Sequence, residues 1–274
     1  MNFPIYPYLK ISNLRYPFKL YSASENYGEP YTYSSNGIRA GMGILLKNYW
    51  NTEFEYFLNK VNFQTDQAFE NPADNNLQDN GDSYSIKNGN LTGIRVTAKL
   101  DFIDNILLPQ DGIFIKGQYE NSITELSASQ NYEFYLAQGA VYKTFHLNTY
   151  GISGYHHWDV NNAPRFMTTI FAGSQVFAGA KEFQMHGSYL TFLQLNYRHK
   201  YKKDVYFHLM ANWLMNAKSE DYNHTAEDIW GFGTGITILS PVGPLKLIWG
   251  WGPKNIYINE NQQSLYHFSA GFKF

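Results

Sequence analysis

Three groups of residues have types and spacings that chemistry uses. Gly151-Ile152-Ser153-Gly154 is one residue short of G-x-S-x-G, the elbow that presents a nucleophilic serine between a strand and a helix, and it sits in a strand-like segment. His156, His157 and Asp159 follow close behind, where a general base would be sought. Neighbouring strand residues point to opposite faces, so the two histidines cannot serve one metal or one substrate without a turn. They read as rim histidines without a catalytic role. The stretch 65–90 carries Asp66, Glu70, Asp74, Asp79 and Asp82, hard oxygen ligands for a divalent cation, but without the spacing of a calcium loop. It reads as a solvated surface loop, and Asp111-Gly112 as turn chemistry. The chain has no cysteine, which removes disulfides, thiolate metal sites and thiol catalysis. No catalytic residue, metal or cofactor is expected.

The remaining charges recur within alternating segments: Arg39, Lys47, Glu53, Glu55, Arg95, Lys99, Lys116, Glu120 and Arg198. Two readings of them stay open, a polar lumen with paired charges around water and a selective pore. Lys plus Arg number 21 against 23 Asp plus Glu, and no basic stripe compensates, so nucleic acid is not an expected partner.

The elements that must carry these residues are strands. In 94–102, Ile94, Val96, Ala98, Leu100 and Phe102 alternate with Arg95, Thr97, Lys99 and Asp101. The same period of two runs through 38–46, 50–58, 205–215, 230–238, 245–251 and 264–274, with fainter segments from about Ile5, Ile113, Tyr132, Phe145 and Tyr189. Twelve strands are predicted. Every second connection is short (48–49, 103–111, 143–144, 199–203, 240–242), and those between are longer, the longest being 157–187. An antiparallel meander puts alternate connections at opposite ends, which is the asymmetry of an outer-membrane barrel; a soluble sandwich has no need of it. Of the 274 residues, 23 are Tyr, 20 Phe and 6 Trp. They cluster at strand ends, at Tyr49-Trp50, 155–158, Trp230 and 249–251, where interfacial girdles would sit. Inner faces built of Gly231, Gly233 and Gly235, and of Gly37, Gly41 and Gly43, let a strand bend or another backbone approach closely.

Two turns carry a family resemblance. Asp104-Asn105, Pro109 and Gly112 resemble the D-N-x-x-x-P-x-x-G turn of the bacterial surface antigen barrels, the superfamily of BamA and TamA, and Ser240-Pro241-Val-Gly243-Pro244-Leu resembles that superfamily's S-P-x-G-P-L hairpin. Closest in pattern are the C-terminal barrels of Gram-negative patatin-like phospholipases, similar in the stretch Gly243-Pro244 to Trp249 and in the ending Gly271-Phe272-Lys273-Phe274. The resemblance implies an all-β, antiparallel transmembrane β-barrel in the bacterial outer membrane, with residues 1–274 the C-terminal part of a sixteen-stranded barrel from a longer protein. It implies a non-catalytic domain that anchors, displays or exports an upstream partner such as a patatin-like hydrolase. Assembly or translocation of other proteins, or a small-solute pore, is the alternative. Expected partners are the bilayer, the barrel assembly machinery, and an upstream domain or a second copy. His267, Phe272 and Phe274 match the terminal assembly pattern of such barrels, although Ser269 stands where glycine is usual. The R-G-F/Y motif that BamA-type barrels carry in their longest loop has no counterpart, because 171–187 contains no Arg-Gly pair. The opening residues, Met1-Asn-Phe-Pro-Ile-Tyr6, lack the pattern of an export signal, which is expected upstream.

Overall fold

Each alternating segment becomes a strand because its apolar and polar sets then fall on separate faces, and each strand pairs with the next in sequence. The computed structural model describes residues 4–20, 29–47, 49–65, 89–105, 107–161, 177–180, 188–219, 224–226, 228–241, 243–253 and 262–271. Its strands are β1 (Ile5–Leu20), β2 (Glu29–Leu46), β3 (Trp50–Thr65), β4 (Gly89–Asp101), β5 (Gly112–Ser122), β6 (Tyr132–Phe145), β7 (Asn148–Asn161), β8 (Tyr189–Lys202), β9 (Val205–Ser219), β10 (His224–Ala226), β11 (Ile229–Ser240), β12 (Gly243–Pro253) and β13 (Gln262–Ala270). Twelve form one antiparallel meander in sequence order, and the short β10 pairs only with β9. The predicted strand number therefore holds. Among the described residues no pairing joins β1 to β13, so both are edges of the sheet.

The core is inverted relative to a soluble protein. On β3, Phe54, Tyr56 and Leu58 stand exposed on the outer face while Glu55, Phe57 and Asn59 are buried on the inner one. Outward Ile94, Ile113, Ile115, Leu195, Leu209 and Phe232 extend this apolar coat, and Glu120 is buried inside. A sheet that shows hydrocarbon outward and keeps its charges inward suits lipid outside and a polar lumen within. Trp213 and Trp230, opposite one another across β9 and β11, stack on the outer face with ring centroids 5.3 Å apart. At 18 and 16 residues, β2 and β3 exceed the roughly 9–11 that cross a bilayer. Among the described residues, no helix is long and apolar enough to cross a membrane.

Two placements differ from the sequence reading. Lys47 does not face the lumen; it is an exposed turn residue with φ 55° directly after β2. The turn expected at 143–144 lies at His146-Leu147, after a last cross-strand pair Phe145↔Asn148, so the strand expected from Phe145 begins at Asn148. His146 adopts φ 56°, the left-handed conformation that closes the hairpin, and alternation cannot reveal which residue makes that bend.

Candidate functional site

The lumen wall from β1 to β6 is joined by charge. Register sets Arg95 opposite Glu55 on β3 and opposite Glu120 on β5, so three strands contribute to one row. Arg95 Nε donates to Glu120 Oε2 at 2.5 Å, and its Nη1 lies 3.5 Å from Glu55 Oε2. The Tyr132 hydroxyl completes Glu120 at 2.6 Å. From β1, Lys10 Nζ reaches Glu53 at 2.9 Å and Glu55 at 3.3 Å, passing over β2. The β2 glycines let two β1 tyrosines lie across that strand as well: a Cβ on Gly43 would stand 2.2 Å from the Tyr6 ring, and one on Gly41 2.9 Å from the Tyr8 hydroxyl. Tyr6 thereby donates to Asn51 Oδ1 at 2.8 Å. Of the other expected lumen charges, Lys99 pairs with Asp101 at 2.7 Å, Lys116 is half-buried opposite Lys99, and Arg39 lies on the inner face of β2.

The motif residues build turns. Asp104 Oδ1 accepts from Gln110 N at 2.9 Å and Asp111 N at 3.2 Å, while Asn105 Oδ1 accepts from Leu107 N at 2.9 Å and Leu108 N at 3.2 Å. Gly112 has φ 131°, and a Cβ there would meet Phe102 O at 2.2 Å. The Pro109 carbonyl accepts from the buried guanidinium of Arg198 on β8, tying this turn to the inner wall. In the second motif, Ser240 Oγ donates to Gly243 O at 2.6 Å, Gly243 takes φ 111°, Pro241 is exposed in the turn, and Pro244 O accepts from Gly271 N. Beside the first turn, a hydrogen bond from Lys143 holds the Asp111 carboxyl below the usual carboxylate range.

On the opposite wall, a piece of the longest connection is seated inside the sheet. Phe177, Ala178 and Ala180 are fully buried, in a turn closed by Ala180 N to Phe177 O with Gly179 at φ 86°. Their seat is made of glycine. A Cβ on Gly231 would lie 2.4 Å from Ala178 O, one on Gly250 2.4 Å from Gly179 N, and one on Gly233 2.8 Å from Ala178 Cβ. Ala178 N donates to Asn212 Oδ1 at 3.1 Å, and Gln263 Nε2 donates to Gly179 O at 2.9 Å. Of the two uses expected for the glycine face, close backbone approach is the one found at Gly231, while Gly233 makes room for the Ala178 methyl. The seated segment itself was missed. Its signal was an apolar Phe-Ala-Gly-Ala run within a long connection.

The candidate catalytic groups do not converge. His156 faces outward with Nδ1 2.8 Å from Thr191 Oγ1, whereas His157 is buried on the inner face against the Phe134 ring. Ser153 Oγ bonds Gln194 Oε1 at 3.4 Å. Among the described residues no group of three or more His, Asp or Glu could hold a metal ion. The carboxylates Asp66, Glu70, Asp74, Asp79 and Asp82 lie outside the described residues, as do Phe272 and Phe274; His267 is half-buried on the inner side of β13.

The comparisons agree with this geometry. The Omp85 superfamily domain matches residues 5–191, more than half of the chain. Among solved structures, BamA from Haemophilus ducreyi lacking POTRA domains 1-3 superposes with a TM-score of 0.71 at 9% identity, over 97% of this chain and 59% of that one. At that identity the likeness is one of fold, and this chain spans about three-fifths of the BamA structure. No curated protein matches. A twelve-stranded meander with an apolar exterior, a charged lumen wall and a loop segment seated within it is thus accounted for by descent: the chain belongs to the Omp85 superfamily.

Proposed function

We propose that this chain is a non-catalytic outer-membrane β-barrel domain of a Gram-negative bacterium that anchors, and displays or exports, a partner domain such as a patatin-like hydrolase. The observation that carries the reading is the seated segment Phe177–Ala180. Among the described residues it is held in the lumen by neutral hydrogen bonds, Ala178 to Asn212 and Gly179 to Gln263. The sequence has no Arg-Gly pair in this region, which favours a static anchor over an insertase or translocator. Ser153, His156 and His157 do not come together as a nucleophile and base. The unpaired edges of β1 and β13 support a larger, sixteen-stranded barrel of which residues 1–274 are the C-terminal part, because open edges in lipid cost several kcal/mol per unpaired backbone group. His267, Phe272 and Phe274 would present the terminal strand to the barrel assembly machinery as an edge for pairing.

The test is expression of the full gene product, with membrane fractionation, heat-modifiability on gels and planar-bilayer conductance. Outer-membrane insertion with a partner domain retained at the membrane and no steady conductance is the expected result. Steady conductance would favour the pore, and catalysis of other barrels' insertion in proteoliposomes the assembly factor. Deleting Phe274 is expected to lower the inserted fraction.

A further inference from the structure

The outer face is not uniformly ridged. Across β7, β8, β9, β11 and β12 it sinks into an apolar groove of about 860 Å³. Register explains the depression. Two outward rows cross these strands side by side, one containing Tyr197, Leu209, Thr234 and Trp249 and the other Ala211 and Phe232. At their centre Ala211 and Thr234 are short, and the longer side chains around them stand up as walls.

Two of the groove's polar side chains are satisfied from within. Thr234 Oγ1 donates to His208 O at 3.2 Å, and the Tyr197 hydroxyl donates to Asn148 Oδ1 at 2.8 Å. Nothing at the floor asks for a charged or hydrogen-bonding headgroup. Leu209, Phe232 and Trp249 remain exposed along the walls. The volume lies within the roughly 300–1,000 Å³ of cavities that hold small ligands.

We propose that this groove is a discrete binding site for an acyl chain of a membrane phospholipid, an inference that rests on the reading that this face meets lipid. Lipid tails are as apolar as leucine, so moving a chain from bilayer to groove gains nothing by desolvation. The gain is contact: a concave trough touches a chain on several sides, where an even face touches it on one. Position on the lipid-facing coat and a lining dominated by apolar side chains both fit a hydrocarbon chain.

The experiment uses the protein in nanodiscs containing phosphatidylethanolamine with a diazirine-bearing acyl chain, with photo-adducts mapped by mass spectrometry. Adducts at Leu209, Phe232 and Trp249 should exceed those at Met42, Phe54 and Leu58, exposed on the other side, by about fivefold or more. Ala211→Trp, which fills the floor, should abolish that excess while leaving adducts at Met42 and Phe54 unchanged; Thr234→Leu serves if Ala211→Trp fails to insert. Equal labelling on both sides, an excess that survives both floor-filling variants, or a protein cross-link at the groove in place of lipid would overturn the proposal. A protein labelled at none of these six positions would instead mean that the membrane reading itself has failed.

Discussion

From β1 to β6 the inner wall is joined by a row of charges, whereas from β9 to β13 it is joined by backbone lying on glycine. Arg95 has to reach two carboxylates on neighbouring strands, and each strand must supply the correct charge at one register position. Gly231, Gly233 and Gly250 supply nothing except the absence of a side chain. The first wall therefore fails when a group is removed, and the second when an atom is added.

Removing Glu120 is expected to have the largest effect. Glu120→Ala leaves Arg95 short of its closest carboxylate and removes the carboxylate to which the Tyr132 hydroxyl donates, a loss of about 3–5 kcal/mol for breaking a buried pair. The denaturant midpoint in lipid vesicles measures it, and an unshifted midpoint would mean that charge does not hold this wall. Addition comes next. Gly250→Val drives a side chain toward Gly179 and should unseat the loop segment, forfeiting about 1.5–3 kcal/mol from burial of Phe177. Because the chain has no cysteine, Ala180→Cys provides a unique reporter, protected from a thiol reagent in the parent and labelled rapidly with Gly250→Val. Continued protection would contradict the glycine seat.

Smaller effects sharpen the contrast. Asn212→Leu removes one hydrogen bond from the seat, worth about 0.5–1.5 kcal/mol, and should raise Ala180→Cys labelling partially. Lys10→Met removes a cation whose side chain is 47% exposed, so the expected loss is about 0.2–1 kcal/mol and shrinks with added salt. Asp111→Asn should matter least, since the pair with Lys143 is solvated. The folded carboxyl titrates below its ordinary 3.8, so its contribution is present above that pH and fades as pH falls through the lower folded value. The substitution should lower stability slightly at neutral pH, leave it unchanged below the folded carboxyl's pKa, and so flatten the acid limb.

The strands were legible because alternation at Ile94 to Phe102 or Trp230 to Ile238 is local and persists for most of a strand. Asp104, Asn105, Gly112 and Gly243 were legible for a related reason: a turn's hydrogen bonds and left-handed bends are made within a few residues. Arg198 was legible as an inward charge, but its bond to Pro109, 89 positions away, was not. His146 was overlooked because any of several residues can close a hairpin, and packing selects one.

The number of strands, their antiparallel order, and an apolar face set against a charged one could all be read from the residues, since each follows from period two and from connection length. That Arg95 meets both Glu55 and Glu120, that Phe177–Ala180 comes to rest on Gly231 and Gly250, and that Ala211 and Thr234 lie together as the floor of a groove emerges from the folded arrangement. Those are facts of register. A slip of two residues along one of these strands would preserve every face and every period while destroying the meeting which that strand makes.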